Sequence, residues 1–126
     1  MLVQYQPQEI LEEINTVVPQ RGISGIYRIW NIKNNKSYIG RSWCLKSRLR
    51  SHIFLLHNGK HHNHLLQRSW NHYGSSAFSF QILDQHPPYP CPWKSEKVLE
   101  RQWIEYYQSY IFNYGYNYLF QGKRVC

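Results

Sequence analysis

The stretch "GIYRIWNIKNNKSYIG", residues 25–40, constrains this chain more than any other. Two strand-like words, residues 25–32 and 37–41, flank a polar turn centred on Asn34-Asn35, which predicts an antiparallel β-hairpin. Each word sets a tyrosine near a glycine: Tyr27 in "GIY" and Tyr38 in "YIG". Tyrosine favours strands and glycine marks strand ends, so architecture alone accounts for the pattern. A site built on two phenols accounts for it as well. Side chains alternate faces along a strand, so an even-numbered turn pairs Tyr38 with Asn31 and puts both tyrosines on one face. At ~3.4 Å per residue they then stand about 13 Å apart, unless the register shifts.

The charge distribution points to a partner. The 126-residue chain carries a formal charge of +8, from 15 Lys and Arg against 7 Asp and Glu. From Ile14 to Leu83 there is no carboxylate, while Arg21, Arg28, Lys33, Lys36, Arg41, Lys46, Arg48, Arg50, Lys60 and Arg68 all lie there. An uncompensated basic stretch fits a polyanion, with nucleic acid first; the plain alternative is a solvated surface. The length suits one domain, and no apolar run reaches the length of a membrane span. Cys44, Cys91 and Cys126 are odd in number and lack C-x-x-C spacing, which points to free thiols in a reducing cytoplasm. The amino terminus has no basic cluster followed by an apolar run, so it does not read as a secretory signal.

Along the chain, "PQEILEEINTVVPQRG" reads as an amphipathic helix between prolines, within an amino-terminal extension over residues 1–22. A main domain over 23–120 and a short tail over 121–126 follow. After the hairpin, Leu45, Leu49, Ile53 and Leu56 form a helical stripe ended by Asn58-Gly59. Asn63 caps a second helix with Leu66, Trp70 and Tyr73 on one face, and Gly74 stops it. "AFSFQILD" alternates as a strand, and "QHPPYPCPW" is a proline-fixed loop. A long helix is expected from Ser95 to about Phe112, with Leu99, Trp103, Tyr106 and Tyr110 inward and Gly115 breaking it. This order, α-ββ-α-α-β-α, predicts an α+β domain: a small three-stranded antiparallel sheet flanked by helices.

Arg48 and His52 stand four apart on one helix, flanking its apolar stripe at the edge of a prospective cleft. Glu100 neighbours inward Trp103. Carboxylates are too few for a two-metal site, so one hard cation on one carboxylate is the better fit.

These residues resemble the GIY-YIG endonucleases. "GIY", ten residues, then "YIG" is that family's signature, and Arg48 with His52, "HHNHLLQRSWNHYG", "FSFQIL", "LERQWI" and "GYN" follow in order. The likeness covers roughly residues 25–119 and is closest to the catalytic domain of phage and intron homing endonucleases. It implies a DNA endonuclease that hydrolyses phosphodiester bonds with a single Mg²⁺ or Mn²⁺. By the same resemblance, Tyr27 takes a proton from the attacking water, and Tyr38 orients that water or the phosphate. Arg48 and His52 face the phosphate, Glu100 is the metal ligand and Asn117 braces the site. His61 takes the place of a further histidine, with His62 and His64 as close competitors. Ser47 stands where some relatives have lysine.

An unperturbed tyrosine, with a pKa near ~10, is too weakly acidic to serve as a base at neutral pH, and nearby cations are expected to lower it. Arg41, Lys46, Arg50, Lys60 and Arg68 are expected to contact DNA. Phosphate contacts read little sequence, so weak, salt-sensitive binding and relaxed cleavage follow, unless a homodimer or a separate targeting partner adds specificity. The expected location is cytoplasmic, with the nucleoid or a phage. Two rivals fit less well. An HNH or zinc site needs histidines on separate elements, whereas His61, His62 and His64 are crowded together. A non-catalytic binding module of the same fold would not need Tyr27, Tyr38, Arg48, Glu100 and Asn117 all intact.

Overall fold

β-Branched and aromatic residues in "SGIYRIWN" and "SYIGRS" form the expected hairpin, β1 (Ser24–Asn31) and β2 (Ser37–Ser42). The computed structural model describes residues 23–86, 93–111 and 114–117. The expected amino-terminal helix and residues 118–126 lie outside the described residues, as do residues 87–92 of the proline loop. The remaining elements are α1 (Leu45–His57), α2 (His64–Tyr73), a 3₁₀ turn (Ser75–Ala77), β3 (Phe78–His86) and α3 (Trp93–Tyr107). The sheet is antiparallel in the order β2-β1-β3, the expected α+β architecture with β1 central. None of the described helices is long and apolar enough to cross a membrane.

The hairpin register differs from the expected one. Tyr38 pairs with Ile29, not Asn31, and Tyr27 pairs with Gly40. The turn runs through residues 31–36 between the last pair, Trp30 and Ser37, so its centre is Lys33-Asn34. Asn35 takes φ 63 and accepts from Trp30 Nε1 at 2.8 Å, while Asn31 and Asn34 each accept a backbone amide two residues on. Moving the centre by one residue moves every pairing by two and preserves parity. The tyrosines share a face as expected, but as diagonal neighbours with ring centroids 6.4 Å apart.

Both glycines of the signature are sites of close approach. A Cβ on Gly40 would lie 2.3 Å from Tyr27 Oη, so the missing side chain is where the Tyr27 ring lies. A Cβ on Gly25 would lie 1.9 Å from the Asp84 carbonyl oxygen, beside the register shift between Ile26 and Tyr27 on β3.

The two sheet faces carry separate cores. Tyr27, Ile29 and Tyr38 pack with Leu45, Leu49, Ile53 and Leu56 of α1, and with Leu66 and Trp70 of α2. The apolar stripe predicted for α1 is buried in full. Asn63 caps α2, accepting from the Leu66 amide at 3.0 Å, and Gly74 ends it. On the opposite face, Ile26 and Ile39 meet Ile104, with Leu99, Trp103, Tyr107 and Tyr110 around them.

The face of α3 departs from expectation at Tyr106, which is 73% exposed while Ile104 is buried. Tyr107 points inward and lies under the Arg28 guanidinium, 4.0 Å from its ring centroid. The helix ends at Tyr107, where Gln108 takes φ 53, short of the expected end near Phe112. Arg28, one of the basic stretch, is buried and donates to Ser37 Oγ at 2.7 Å and Gln81 Oε1 at 2.9 Å. It is a fold residue.

Candidate active site

β1 and β2 deliver Tyr27 and Tyr38 to one face, α1 lays His52 across both rings, and the α1–α2 loop brings His61 behind His52. All four side chains are buried. Tyr27 Oη lies 2.5 Å from His52 Nε2, His52 Nδ1 lies 2.7 Å from His61 Nε2, and the Asn63 amide donates to His61 Nδ1 at 3.0 Å. Tyr38 closes the cluster, its ring centroid 5.5 Å from that of His52 and 6.3 Å from that of His61. The α1–α2 loop settles which histidine enters. His62 is exposed and stacks on the outside of His61, and His64 is exposed at the start of α2.

Arg48 is exposed one helical turn before His52 and close enough to Tyr27 to favour its phenolate. His52 is more deeply placed than the edge position expected from the helix pattern. Glu100 comes from α3, on the other side of the sheet, at the β2 edge. Its side chain is 19% exposed and pairs with Arg41 at 3.4 Å. Asn117 does not enter the cluster. It brackets Ile39 of β2, taking its amide and giving to its carbonyl at 2.9 Å each, and accepts from Ser109 Oγ at 2.7 Å. That is a brace on the strand carrying Tyr38.

Of the residues expected to contact DNA, Arg41 is engaged with Glu100, Lys46 and Arg50 are half-buried on α1, and Lys60 and Arg68 are exposed. Arg68 stands on a cavity of about 180 Å³, lined also by Lys36, His72, Tyr73 and Tyr116, and none of the four clustered residues lines it. Residue patterns gave no sign of the supporting polar groups. Gln67 accepts the His61 amide at 3.0 Å, and Asn63 donates to the Tyr116 carbonyl at 2.7 Å. Asn63 was legible only as a helix cap, although the cap is the signal that its amide and side chain are held in place.

Burial dominates the electrostatics. The Tyr27 phenol is pushed well above its ordinary range by desolvation, reinforced by Tyr38 and Glu100 and opposed by Arg48. The expected lowering by nearby cations is therefore not met in the unliganded chain, because one exposed arginine does not outweigh full burial. Desolvation holds His52 well below the usual imidazole range, with His61, Arg48 and His62 adding to the effect. Burial first, and His62 after it, lower His61 to about 4. Glu100 is raised to about 7 by burial, against the pull of Arg41, Lys97 and Arg48.

The histidine shifts fix a pH dependence. Unfolded imidazoles titrate near ~6.5, so below that pH the unfolded chain binds protons that the folded chain refuses. Stability from neutral His52 and His61 is complete above this range and falls as the pH drops through it toward 4. Urea unfolding midpoints should therefore decline from pH 7 to pH 4, with a shallower decline in a His52→Gln, His61→Gln double variant. Equal slopes for the two proteins would contradict the assignment.

Comparison with known proteins sets this geometry in a family. The chain aligns over 77% of its length with two solved catalytic domains, covering 94% and 99% of them at TM-scores of 0.67 and 0.66, with 34% and 33% identity. The chain belongs to the GIY-YIG endonuclease family. The two structures are of the catalytic domain of homing endonuclease I-TevI, the first of them a mutant form. The chain is also 36% identical over 94 residues to intron-associated endonuclease 1 of Enterobacteria phage T4, an alignment spanning 73% of this chain but only 36% of that relative. No family model matches the chain.

Proposed function

We propose that this chain is a DNA endonuclease domain that hydrolyses phosphodiester bonds with the help of one divalent cation. The observation that carries this reading is the match to nearly the whole of a solved catalytic domain at 34% identity. Tyr27 is read as the base that takes the proton of the attacking water, with Tyr38 orienting water or phosphate beside it. Arg48 offers a planar fork of donors on the exposed side, suited to the charge that grows on phosphate oxygens. Attack of water on phosphorus breaks the bond to the 3′ oxygen, leaving a 3′ hydroxyl and a 5′ phosphate.

The donors fit one hard cation. Among the described residues no group of three His, Cys, Asp or Glu converges, so Glu100 would hold the ion alone, with water and phosphate oxygens completing its shell. A carboxylate raised to about 7 by burial gains from a nearby positive charge. When bound, Mg²⁺ or Mn²⁺ supplies stabilisation of the leaving oxygen. Sequence-specific targeting is assigned to a second copy or a separate partner, since the basic groups suit phosphate contacts.

Incubating the protein with supercoiled plasmid, with and without Mg²⁺, tests the reading. The expected result is nicking that stops with chelator, resumes with Mn²⁺ and leaves 3′ hydroxyl ends, with binding that falls steeply as salt rises. DNA binding without cleavage under any divalent ion would leave a binding module in place of a nuclease.

A further inference from the structure

The hydrogen-bond chain behind Tyr27 has a direction, set by a group that can only donate. A backbone amide has no lone pair to offer, so the Asn63 amide at 3.0 Å requires an unprotonated Nδ1 on His61. The neutral His61 ring then carries its proton on Nε2, which faces His52 Nδ1 at 2.7 Å. His52 Nδ1 must accept, because two N–H groups facing each other at that distance would leave both donors buried and unsatisfied. The His52 proton therefore sits on Nε2, 2.5 Å from Tyr27 Oη.

We infer that Asn63 and His61 are positioning residues that lock His52 as a hydrogen-bond donor to Tyr27, so that the two histidines are not a proton sink for the phenol. The lowered pKa values of both rings agree with this, since a second proton on His52 would meet the proton of His61. The phenol proton must leave on the open side, where Arg48 stands, and the phenolate left behind would keep a buried N–H donor at its back. The amide is itself held fast. The Asn63 side chain accepts from the Leu66 amide and donates to the Tyr116 carbonyl, and Gln67 accepts from the His61 amide. The consequence for catalysis rests on Tyr27 being the base, whereas the ring tautomers do not depend on it.

Nitrogen-15 NMR of the full chain, labelled at histidine, reads the tautomers without any cleavage assay. At pH 7, His52 and His61 should both show a protonated Nε2 and an unprotonated Nδ1. His61→Leu should release His52 and populate its Nδ1-protonated form, whereas His61→Gln, which keeps a side-chain donor, should hold the wild-type pattern more closely. In cleavage, His61→Leu should shift the pH dependence of kcat to higher pH and change KM little. Tyr38 and His52 pack against Tyr27, and the charges of Arg48 and Glu100 also act on it, so the NMR pattern is the deciding readout and the pH profile the supporting one. A protonated Nδ1 on His52 in the wild type would overturn the inference, as would an unchanged His52 pattern in a folded His61→Leu protein. Wild-type tautomers as expected, in a protein that cuts no DNA, would uphold the inference and remove the nuclease reading instead.

Discussion

Tyr27→Phe should lower the cleavage rate by about 10²- to 10⁴-fold, the usual contribution of a positioned base, while DNA affinity stays close to wild type. The ring that fills the space above Gly40 is kept, so the hairpin retains its packing. What is lost is one oxygen. That oxygen faces His52 Nε2 in a buried site, and its removal leaves the imidazole donor without an acceptor, at a cost of ~1–3 kcal/mol in stability. Two measurements separate these effects: single-turnover cleavage of a labelled duplex, and urea unfolding of the same sample. A rate equal to wild type would return Tyr27 to a purely structural role. A rate loss explained by the unfolded fraction alone would do the same.

The placement of the tyrosines could be read because strand parity has a period of two and survives an error in the turn centre. Their distance could not be read. It depends on Asn35 in a left-handed conformation and on side-chain bonds from Asn31 and Asn34 to the turn backbone, which a run of asparagines does not order. The α1 stripe was plain because four aliphatic residues recur at helical spacing. On α3 the adjacent Tyr106 and Tyr107 look alike in the sequence, and it is packing against the Ile26, Ile39 and Ile104 cluster, with Arg28 reaching over from β1, that takes Tyr107 inward.

The candidate site shows the same division. Tyr27, Tyr38, His52 and His61 came from family resemblance, and the fold brings all four together. The direction of their hydrogen bonds was hidden, because it starts from a backbone amide. The raised Tyr27 pKa was hidden too, since full burial is a property of the packed core and not of the neighbouring charges that a motif displays.

Glu100→Ala gives the second large effect. The carboxylate is the single acidic group assigned to the cation, and metal stabilisation of a transferring phosphoryl group is worth several kcal/mol, so cleavage should fall on the order of 10³-fold or more. The fold should hardly respond. An ion pair of this exposure contributes ~0–1 kcal/mol, and the carboxylate is held above its ordinary pKa by burial, so its removal relieves a desolvation cost. Removing a negative charge also reduces repulsion of the phosphate backbone, and DNA affinity in the absence of divalent ions should hold or rise. The combination of intact unfolding midpoint, undiminished binding and lost cleavage separates a role in the chemistry from a structural one. Glu100→Gln, which keeps the side-chain volume, should match Glu100→Ala in cleavage. Wild-type cutting by either variant in Mg²⁺ would place the cation elsewhere, and recovery by Gln but not Ala would make Glu100 a packing residue beside Arg41.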